Sequence, residues 1–184
     1  GQALADEAAS VLAIGNDRLR SALDAAASRI ATADVEHLLV VDIFGEQLLH
    51  KIGTEDAVNL SKHELSLLPD HVMLHNHTGP PQSFSVDDVR LAIWHNLREM
   101  HVVDQLYRYV LRRSPGVAWG PTMWQQVEAI WSSVEPDVTS RLNEALAQGL
   151  IERDQYDVLL EHMIWTEVDE RVTIGYSRLP RNSP

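Results

Sequence analysis

The sequence predicts an α/β fold of the α+β type, in which a small mixed β-sheet is flanked by helices. Apolar residues form short runs or alternate in the middle of the chain, whereas on either side they recur every three or four residues. The predicted order is helix, hairpin, strand, helix, strand and then helices, which fits helices packed on one sheet. With 184 residues and 45% hydrophobic content, the chain is long enough to bury a sizeable core.

A helix is predicted over residues 3–32. The segment is rich in alanine, and its larger apolar residues recur at helical spacing, namely Leu12, Leu19, Leu23, Ala26 and Ile30. A break is expected at Gly15-Asn16. We expect this apolar stripe to face the core or a partner, and we assign residues 1–33 to an N-terminal helical segment.

The middle of the chain predicts four strands and one helix. Residues 35–53, "VEHLLVVDIFGEQLLHKIG", form two extended runs around the turn at 44–46, which is typical of a β-hairpin. A third strand is predicted at 71–77 and a helix with one apolar face over 85–100. Residues 101–113 alternate in polarity and predict a fourth strand.

The last third of the chain predicts helices. One helix carries Met123 to Val134, a second begins near Pro136 and stops at Gly149, and a third begins at Asp154. Residues from about 172 onward are expected to form a mildly basic tail. We assign residues 120–184 to a C-terminal helical extension and tail.

Charge and composition exclude several classes of function. The net charge is −12, with 27 acidic residues against 15 basic ones, and no run of Lys or Arg is present. Nucleic acid is therefore a poor candidate partner. The chain has no cysteine, which excludes disulfides and thiolate ligands and leaves His, Asp and Glu as the strong metal ligands.

Targeting signals are not visible in the sequence. No segment approaches the roughly 18 apolar residues of a membrane span, and the N-terminus lacks the basic and apolar regions of a signal peptide. We expect a soluble chain, with the cytoplasm favoured over a secreted effector or a phage particle. The opening Gly1-Gln2 suggests that the chain is excised from a longer protein.

Two histidines lie one residue apart at the end of the third predicted strand. Alternate residues of a strand share a face, so the Cα atoms of His75 and His77 are expected about 6.6 Å apart at roughly 3.3 Å per residue. At this separation both imidazoles can reach one ion. Downstream, Ser85 and Asp88 have the spacing of a helix capping box. A capping box also fixes Asp88 in the first helical turn, so the structural and metal-binding interpretations are compatible.

The joint pattern H-x-H-x7-S-x2-D over residues 75–88 resembles the metal-binding signature of the JAMM/MPN+ (JAB-type) zinc metallopeptidases, including the RadC-like branch. The apolar strand that enters the motif, the Gly- and Pro-containing loop and the following helix match as well. The resemblance covers residues 35–119, and we assign 34–119 to a JAB/MPN-like metallopeptidase core.

The resemblance implies a role for each matching residue. His75, His77 and Asp88 would be the three protein ligands of Zn²⁺, with water at the fourth position. Ser85 would stabilise the developing oxyanion or orient that water. The family's general base is a glutamate on an earlier strand, and Glu36 occupies that place in this sequence.

Other glutamates compete with Glu36 for the role of general base. Glu46, in the hairpin turn, is the main alternative, and Glu55 and Glu64 are more remote candidates. Glu36 is favoured because it stands at the start of an apolar strand, where a charged residue is unusual unless it has a function. Glu46 belongs to a turn, where polar residues are common. One position departs from the family pattern, since Thr78 replaces the proline that commonly follows the second histidine.

The resemblance implies a metallopeptidase that hydrolyses a peptide or isopeptide bond in a protein or peptide substrate, with ubiquitin-like conjugates as the family's best-known targets. The alternative is a non-catalytic, metal-stabilised MPN-type scaffold of a phage or secretion system. A metal-dependent phosphoesterase is a third hypothesis, because "HNHT" is similar to the opening motif of the PHP phosphoesterases. The oligomeric state is left open.

The remaining histidines and the tryptophans are interpreted as structural. Seven histidines outside the motif show no ligand spacing and are expected to be surface or core polar residues, namely His37, His50, His63, His71, His95, His101 and His162. Tryptophans are more often core residues than parts of a binding groove, and Trp94 and Trp131 are expected to pack against the sheet. Trp119 is the tryptophan expected to contact a substrate.

Overall fold

The computed structural model describes residues 2–55 and 57–181. Its centre is a six-stranded sheet whose strands are β1 His37–Val41, β2 Gln47–Ile52, β3 Val72–Asn76, β4 Glu99–Val103, β5 Tyr107–Arg112 and β6 Tyr176–Pro180. The order across the sheet is β2-β1-β3-β4-β5-β6. Only β3 and β4 pair in parallel, and the other neighbours are antiparallel. The predicted α+β fold class is confirmed.

Five helices accompany the sheet in the described residues. They are α1 Gln2–Ile30, α2 Lys62–Leu65, α3 Val86–Trp94, α4 Pro121–Ala147 and α5 Arg153–Arg171. Parallel strands need a crossover connection, and α3 is the helix of the crossover from β3 to β4. None of the described helices is both long and apolar enough to cross a membrane.

The two faces of the sheet carry separate hydrophobic cores. Successive side chains of a strand point to opposite faces, so Leu39 and Leu74 face α1, whereas Leu38 and Met73 face the other helices. On the α1 face, the core is completed by Leu19, Leu23, Ala26, Ala27, Ile30 and Ala31. On the opposite face, buried residues of α3, α4 and α5 form one continuous core with the sheet.

The hairpin and the third strand confirm the predictions for those segments. β1 and β2 pair around the predicted turn, and β3 occupies 72–76 within the predicted 71–77. The expected break at Gly15-Asn16 is wrong, because α1 is continuous there. A glycine at position 15 destabilises the helix by only about 1 kcal/mol relative to alanine, and a helix of this length tolerates that loss.

The helix predicted over 85–100 is too long. α3 ends at Trp94, and Asn96 has a φ of 53°, a left-handed conformation that stops a helix and that asparagine tolerates. Leu97 continued the helical spacing in the sequence, yet it is a buried core residue just beyond this turn. β4 then begins at Glu99.

The fourth predicted strand, 101–113, is two strands. β4 and β5 form an antiparallel hairpin, and Asp104 makes the turn between them. One oxygen of its carboxylate, Oδ1, accepts hydrogen bonds of 2.7 Å from the backbone N–H groups of Leu106 and Tyr107. Side-chain capping of this kind is what aspartate does in turns, so Asp104 was the signal for the reversal.

The prediction that a second helix starts near Pro136 is also wrong. α4 runs continuously through Pro136, although an internal proline removes a hydrogen bond and costs about 3 kcal/mol. Val134 and Val138 on either side of it are fully buried. We attribute the continuity to this packing, which holds the helical face in register across the proline.

The tail predicted from about 172 onward contains a strand. Asp169 accepts hydrogen bonds from the N–H groups of Ile174 and Gly175, at 2.7 and 2.8 Å, and these bonds turn the chain back after α5. Residues 176–180 then pair with β5 as the edge strand β6. The end of the predicted tail, 182–184, lies outside the described residues. α5 itself begins at Arg153, one residue before the predicted start.

Two expectations for tryptophan are wrong. Trp119 was expected to contact a substrate, but only 5% of it is exposed, and it belongs to the core on the α3 face. Trp94 was expected to pack against the sheet, but it is 43% exposed, with the Arg90 guanidinium over its ring. Trp131 packs against the core, as expected.

Candidate metal centre

Three side chains meet at the carboxyl end of β3. His75 Nε2 lies 3.2 Å from His77 Nε2 and 3.2 Å from Asp88 Oδ1, and His77 Nε2 lies 3.3 Å from Asp88 Oδ2. The two histidines are buried and the aspartate is largely so. Four ligand atoms at about 2.0–2.1 Å from a tetrahedral ion lie roughly 3.3 Å from one another. The three side chains therefore form a buried group that could hold a metal ion.

Local structure places each of these three side chains. His75 is in β3 and His77 follows one residue after it, so both point to the face covered by α3. Asp88 is the third residue of α3, and Ser85 is its N-cap. The N–H and the hydroxyl of Ser85 donate to Asp88 Oδ2 at 2.8 and 2.7 Å, and Asp88 N donates back to Ser85 Oγ at 3.2 Å. The predicted capping box thus also orients the carboxylate toward the histidines.

The protonation of the group suits a cation. Burial raises the pKa of Asp88, but the adjacent His75 and His77 hold it well below its ordinary value, so the side chain is a carboxylate. Burial lowers the pKa of His77, but the hydrogen bond and charge of Asp88 outweigh that effect and raise it, with a further contribution from Glu36. Electrostatically, the site attracts positive charge.

The Nδ1 atoms of the two histidines, which face away from the candidate metal position, differ in their surroundings. His77 Nδ1 lies 3.3 Å from the carbonyl oxygen of Gln82, so an N–H at Nδ1 donates to that carbonyl and leaves the Nε2 lone pair for a metal. His75 Nδ1 is buried and has no hydrogen-bond partner among the described residues. Backbone support of the kind that His77 receives is typical of metal-binding histidines.

Glu36 lies in the same cavity as the three side chains. The cavity has a volume of about 440 Å³, and its lining includes Glu36, Asn59, His75, His77, Ser85 and Asp88. Because Leu38 pairs with His75 across β1 and β3, Glu36, two residues before Leu38, is on the same face of the sheet as both histidines. The carboxylate of a neighbouring strand thus faces the group.

The competing glutamates lie elsewhere. Glu46 is exposed in the hairpin turn and lines a different cavity, beside Arg18 of α1. Glu64 is bound to Lys51 Nζ at 2.7 and 2.9 Å, and this hydrogen-bonded pair lowers the pKa of Glu64 to about 2. Glu55 is exposed and does not line the cavity of the histidines.

Thr78, which replaces the family's proline, has a hydrogen bond of its own. Its hydroxyl donates to the backbone carbonyl of Glu55. The bond joins the loop after His77 to the segment between β2 and α2, and Ala57, Val58 and Asn59 of that segment line the cavity. The threonine therefore restrains this loop by a hydrogen bond, where a proline would restrain it by its ring.

Asn76, between the two histidines, points to the opposite face and connects β3 to β1. It is fully buried, and its Oδ1 accepts from His37 N at 2.6 Å while its Nδ2 donates to Val35 O at 3.1 Å. Both backbone partners are immediate neighbours of Glu36. The amide thus fixes the backbone on either side of this glutamate relative to the strand that carries the histidines.

Asn76→Ala is expected to lower the free energy of unfolding by about 1–3 kcal/mol, because it leaves the partly buried N–H of His37 and carbonyl of Val35 without their partner. Asn76→Asp keeps the acceptor for His37 N but sets a carboxylate oxygen against Val35 O in a fully buried position, so its loss at pH 8 should be at least as large as that of the alanine variant. Urea denaturation measures both changes. Asn143→Ala, on an exposed face of α4, is the matched control. Equal stability of the wild type and Asn76→Ala would contradict this role.

The loop between His77 and α3 is held from the C-terminal part of the chain. Trp165 Nε1 of α5 donates to Phe84 O at 2.7 Å. The hydroxyl of Tyr176 lies 2.9 Å from Ser83 Oγ and 2.8 Å from His162 Nδ1. α5 and β6 therefore support the loop that leads from the second histidine to the aspartate.

Glu161 of α5 is a half-buried acid that the sequence did not single out. Its Oε2 is buried and has no hydrogen-bond partner among the described residues. Burial, with the nearby charges of Asp88 and Glu135, raises its pKa to about 7. In the sequence it is one of many acids on an amphipathic helix, and only the packing of α5 brings it toward the metal centre.

Glu161→Gln is expected to stabilise the metal-free protein more at pH 8 than at pH 5. The folded-state pKa is above the unfolded value, so ionisation of Glu161 removes stability as the pH rises from the unfolded pKa through about 7. The glutamine avoids that loss, a gain of about 1–3 kcal/mol at pH 8. Urea titrations at both pH values in a chelator test this, and an equal effect at pH 5 and pH 8 would contradict it.

The structure thus brings together Glu36, His75, His77, Ser85 and Asp88, all of which the sequence had singled out, and adds Asn76 and Glu161. Comparison of the chain with protein-family models, curated proteins and solved structures gives no match. The functional argument therefore rests on the chemistry of the site itself.

Proposed function

We propose that this chain is a zinc-dependent metallopeptidase of the JAMM type, which hydrolyses a peptide or isopeptide bond. The observation that carries the proposal is the convergence of His75, His77 and Asp88 in one cavity with the carboxylate of Glu36. The sequence pattern H-x-H-x7-S-x2-D supports the same site.

The donor set favours zinc. The two imidazole nitrogens are 3.2 Å apart, and each lies 3.2–3.3 Å from one of the two oxygens of the Asp88 carboxylate, a spacing that suits ligands around an ion of the size of Zn²⁺. Hard cations such as Mg²⁺ and Ca²⁺ prefer sites built from oxygen ligands. Three protein ligands leave the fourth corner for water or substrate, which is the arrangement of catalytic zinc sites.

Glu36 and Ser85 would have separate roles in the reaction. Zinc bound there supplies Lewis acidity and lowers the pKa of a water molecule. Glu36 would accept the proton of the attacking water and later donate it to the leaving amine. Ser85 holds the carboxylate of Asp88 through its N–H and hydroxyl, and its place in the cavity wall also suits assistance to a developing oxyanion.

The substrate class follows from the reaction and from the shape of the site. The cavity of about 440 Å³ is open to solvent and lined by both polar and apolar side chains, which suits a segment of peptide rather than a whole folded partner. We propose a protein or peptide substrate, with an amide bond to a lysine side chain, as in ubiquitin-like conjugates, among the bonds to test first.

A metal-stabilised scaffold is the second candidate function. The three side chains join the end of β3 to the first turn of α3, so an ion held by them would cross-link two elements of the core. This arrangement would stabilise the fold without any catalysis. The two functions differ in whether Glu36 is needed for a reaction.

The protein purified without chelators should contain about one zinc per chain and hydrolyse members of a peptide and isopeptide library. Removal of the ion with a chelator should abolish hydrolysis, and addition of zinc should restore it. Zinc without hydrolysis would favour the scaffold. Absence of any transition ion would overturn the proposed enzyme.

A further inference from the structure

Four arginines line a cavity on the opposite face of the sheet from the candidate metal centre. This cavity of about 500 Å³ lies between α1 and strands β4 and β5. Glu99 and His101 of β4 line it, whereas Met100 and Val102, which alternate with them, belong to the core on the metal-centre face. The sheet therefore separates this cavity, here termed the arginine cavity, from the candidate metal centre.

The charge of the arginine cavity is opposite to that of the chain. Among the described residues that line it, four are basic and two are acidic, namely Arg20, Arg98, Arg108 and Arg112 against Asp24 and Glu99. The whole chain has 15 basic and 27 acidic residues. A positive concave site in a protein of net charge −12 concentrates the field on a negative ligand.

A hydrogen-bonded network around the buried Glu99 and His101 orients two of these arginines. Glu99 accepts from Arg112 Nε at 3.0 Å and from His101 Nε2 at 3.0 Å. Arg108 Nε donates to His101 Nδ1 at 3.1 Å, and Arg108 Nη1 donates to Asp24 of α1. Each guanidinium is therefore held in place while it keeps further N–H groups outside this network.

The protonation of the network follows from its burial and its charged neighbours. Burial lowers the pKa of His101, and the neighbouring Arg108 and Arg112 lower it further, so the ring is neutral and accepts at Nδ1. Burial raises the pKa of Glu99, but its bonds to His101 and Arg112 outweigh this and lower it to about 2. Glu99 thus pairs with Arg112 and Asp24 pairs with Arg108, so Arg20 and Arg98 are the arginines of the lining that have no carboxylate partner within it.

Arg98 completes the arrangement. Its backbone is fixed by hydrogen bonds to His71 and Arg113, and in the described part of the chain its guanidinium has no hydrogen-bond or ion-pair partner. A guanidinium presents a planar fork of donors that matches two oxygens of a carboxylate or phosphate. Arg98 therefore contributes an uncommitted fork beside two oriented ones.

We propose that the arginine cavity is a binding site for a small oxyanionic ligand, a molecule that carries a phosphate or carboxylate group. Its volume lies within the roughly 300–1,000 Å³ that small-molecule sites occupy. The site is independent of the proposed peptidase activity, because it uses none of the residues of the metal centre.

The test uses isothermal titration calorimetry of the full chain at low ionic strength, with inorganic phosphate and succinate as separate probes. To exclude binding at the metal centre, the titrations are repeated with His77→Ala. Binding of phosphate in preference to succinate would identify a phosphorylated ligand, and the reverse preference a carboxylate ligand. Absence of binding by either probe at about 10 mM would overturn the proposal.

Arg98→Gln is expected to weaken binding of the preferred probe about tenfold, because it removes one charge-assisted fork and no contact of the folded network. Arg18→Gln is the matched control, since it removes the same charge from an exposed position of α1 that faces another cavity. An equal loss in both variants would show that only net charge matters, and it would overturn the assignment of the cavity.

Discussion

Glu36→Gln is expected to lower the turnover of the peptide or isopeptide substrate by about 10²–10⁴-fold, the contribution typical of a general acid–base residue. The glutamine fills the same volume but cannot accept a proton from water. Zinc content should stay at the wild-type value, because Glu36 is outside the His75, His77 and Asp88 group. Steady-state hydrolysis and metal analysis of the same preparation provide the two measurements.

Glu46→Gln is the matched control for this prediction. It makes the same chemical change in the hairpin turn of the same two strands, and its side chain lines a cavity beside α1. Its turnover should equal that of the wild type. If Glu46→Gln lost activity and Glu36→Gln kept it, the assignment of the base would be reversed, and if neither change mattered, hydrolysis would not depend on a glutamate of this hairpin.

His77→Ala is expected to remove the dependence of thermal stability on zinc. An ion that binds only the folded state stabilises it by about 4 kcal/mol when its concentration is a thousand times its Kd. The wild type should therefore melt at a higher temperature with zinc than with a chelator, whereas two ligands in place of three should bind too weakly for a shift. Differential scanning calorimetry in both conditions measures this.

For each protein, the melting temperature with zinc is compared with the melting temperature of the same protein in a chelator. This is necessary because His77→Ala also leaves Asp88 with one partner fewer and changes the stability of the metal-free form. His63→Ala, an exposed histidine of α2, controls for zinc bound weakly at the surface. A zinc-dependent shift of wild-type size in His77→Ala would show that the ion binds elsewhere.

The ligand group was predictable from sequence because it is local. Two histidines of one strand and the aspartate of the next helix are fixed by strand alternation and by a capping box, and both rules act over a few residues. Thirteen positions separate His75 from Asp88, so one loop suffices to bring them together. The convergence was predicted and is observed, while zinc and peptidase activity stay predictions.

The rest of the site depends on contacts between distant segments. Asn76 reaches Val35 across 41 positions, a contact that requires the pairing of β1 with β3. Glu161 approaches Asp88 because α5 packs against α4 and, through Trp165, against the loop before α3. The end of α3 and the turn at Asp104 were missed for a different reason, since the apolar spacing continued across both and side-chain capping decided the outcome.

The order of synthesis on the ribosome bears on when this site is completed. Phe84 and Ser83, in the loop that leads to α3, are bound by Trp165 and Tyr176, which are synthesised 81 and 93 positions later. At roughly 5–20 residues per second, a nascent chain spends several seconds with its histidines made but their supporting loop unanchored. We expect the candidate metal centre to reach its final geometry only once β6 joins the sheet.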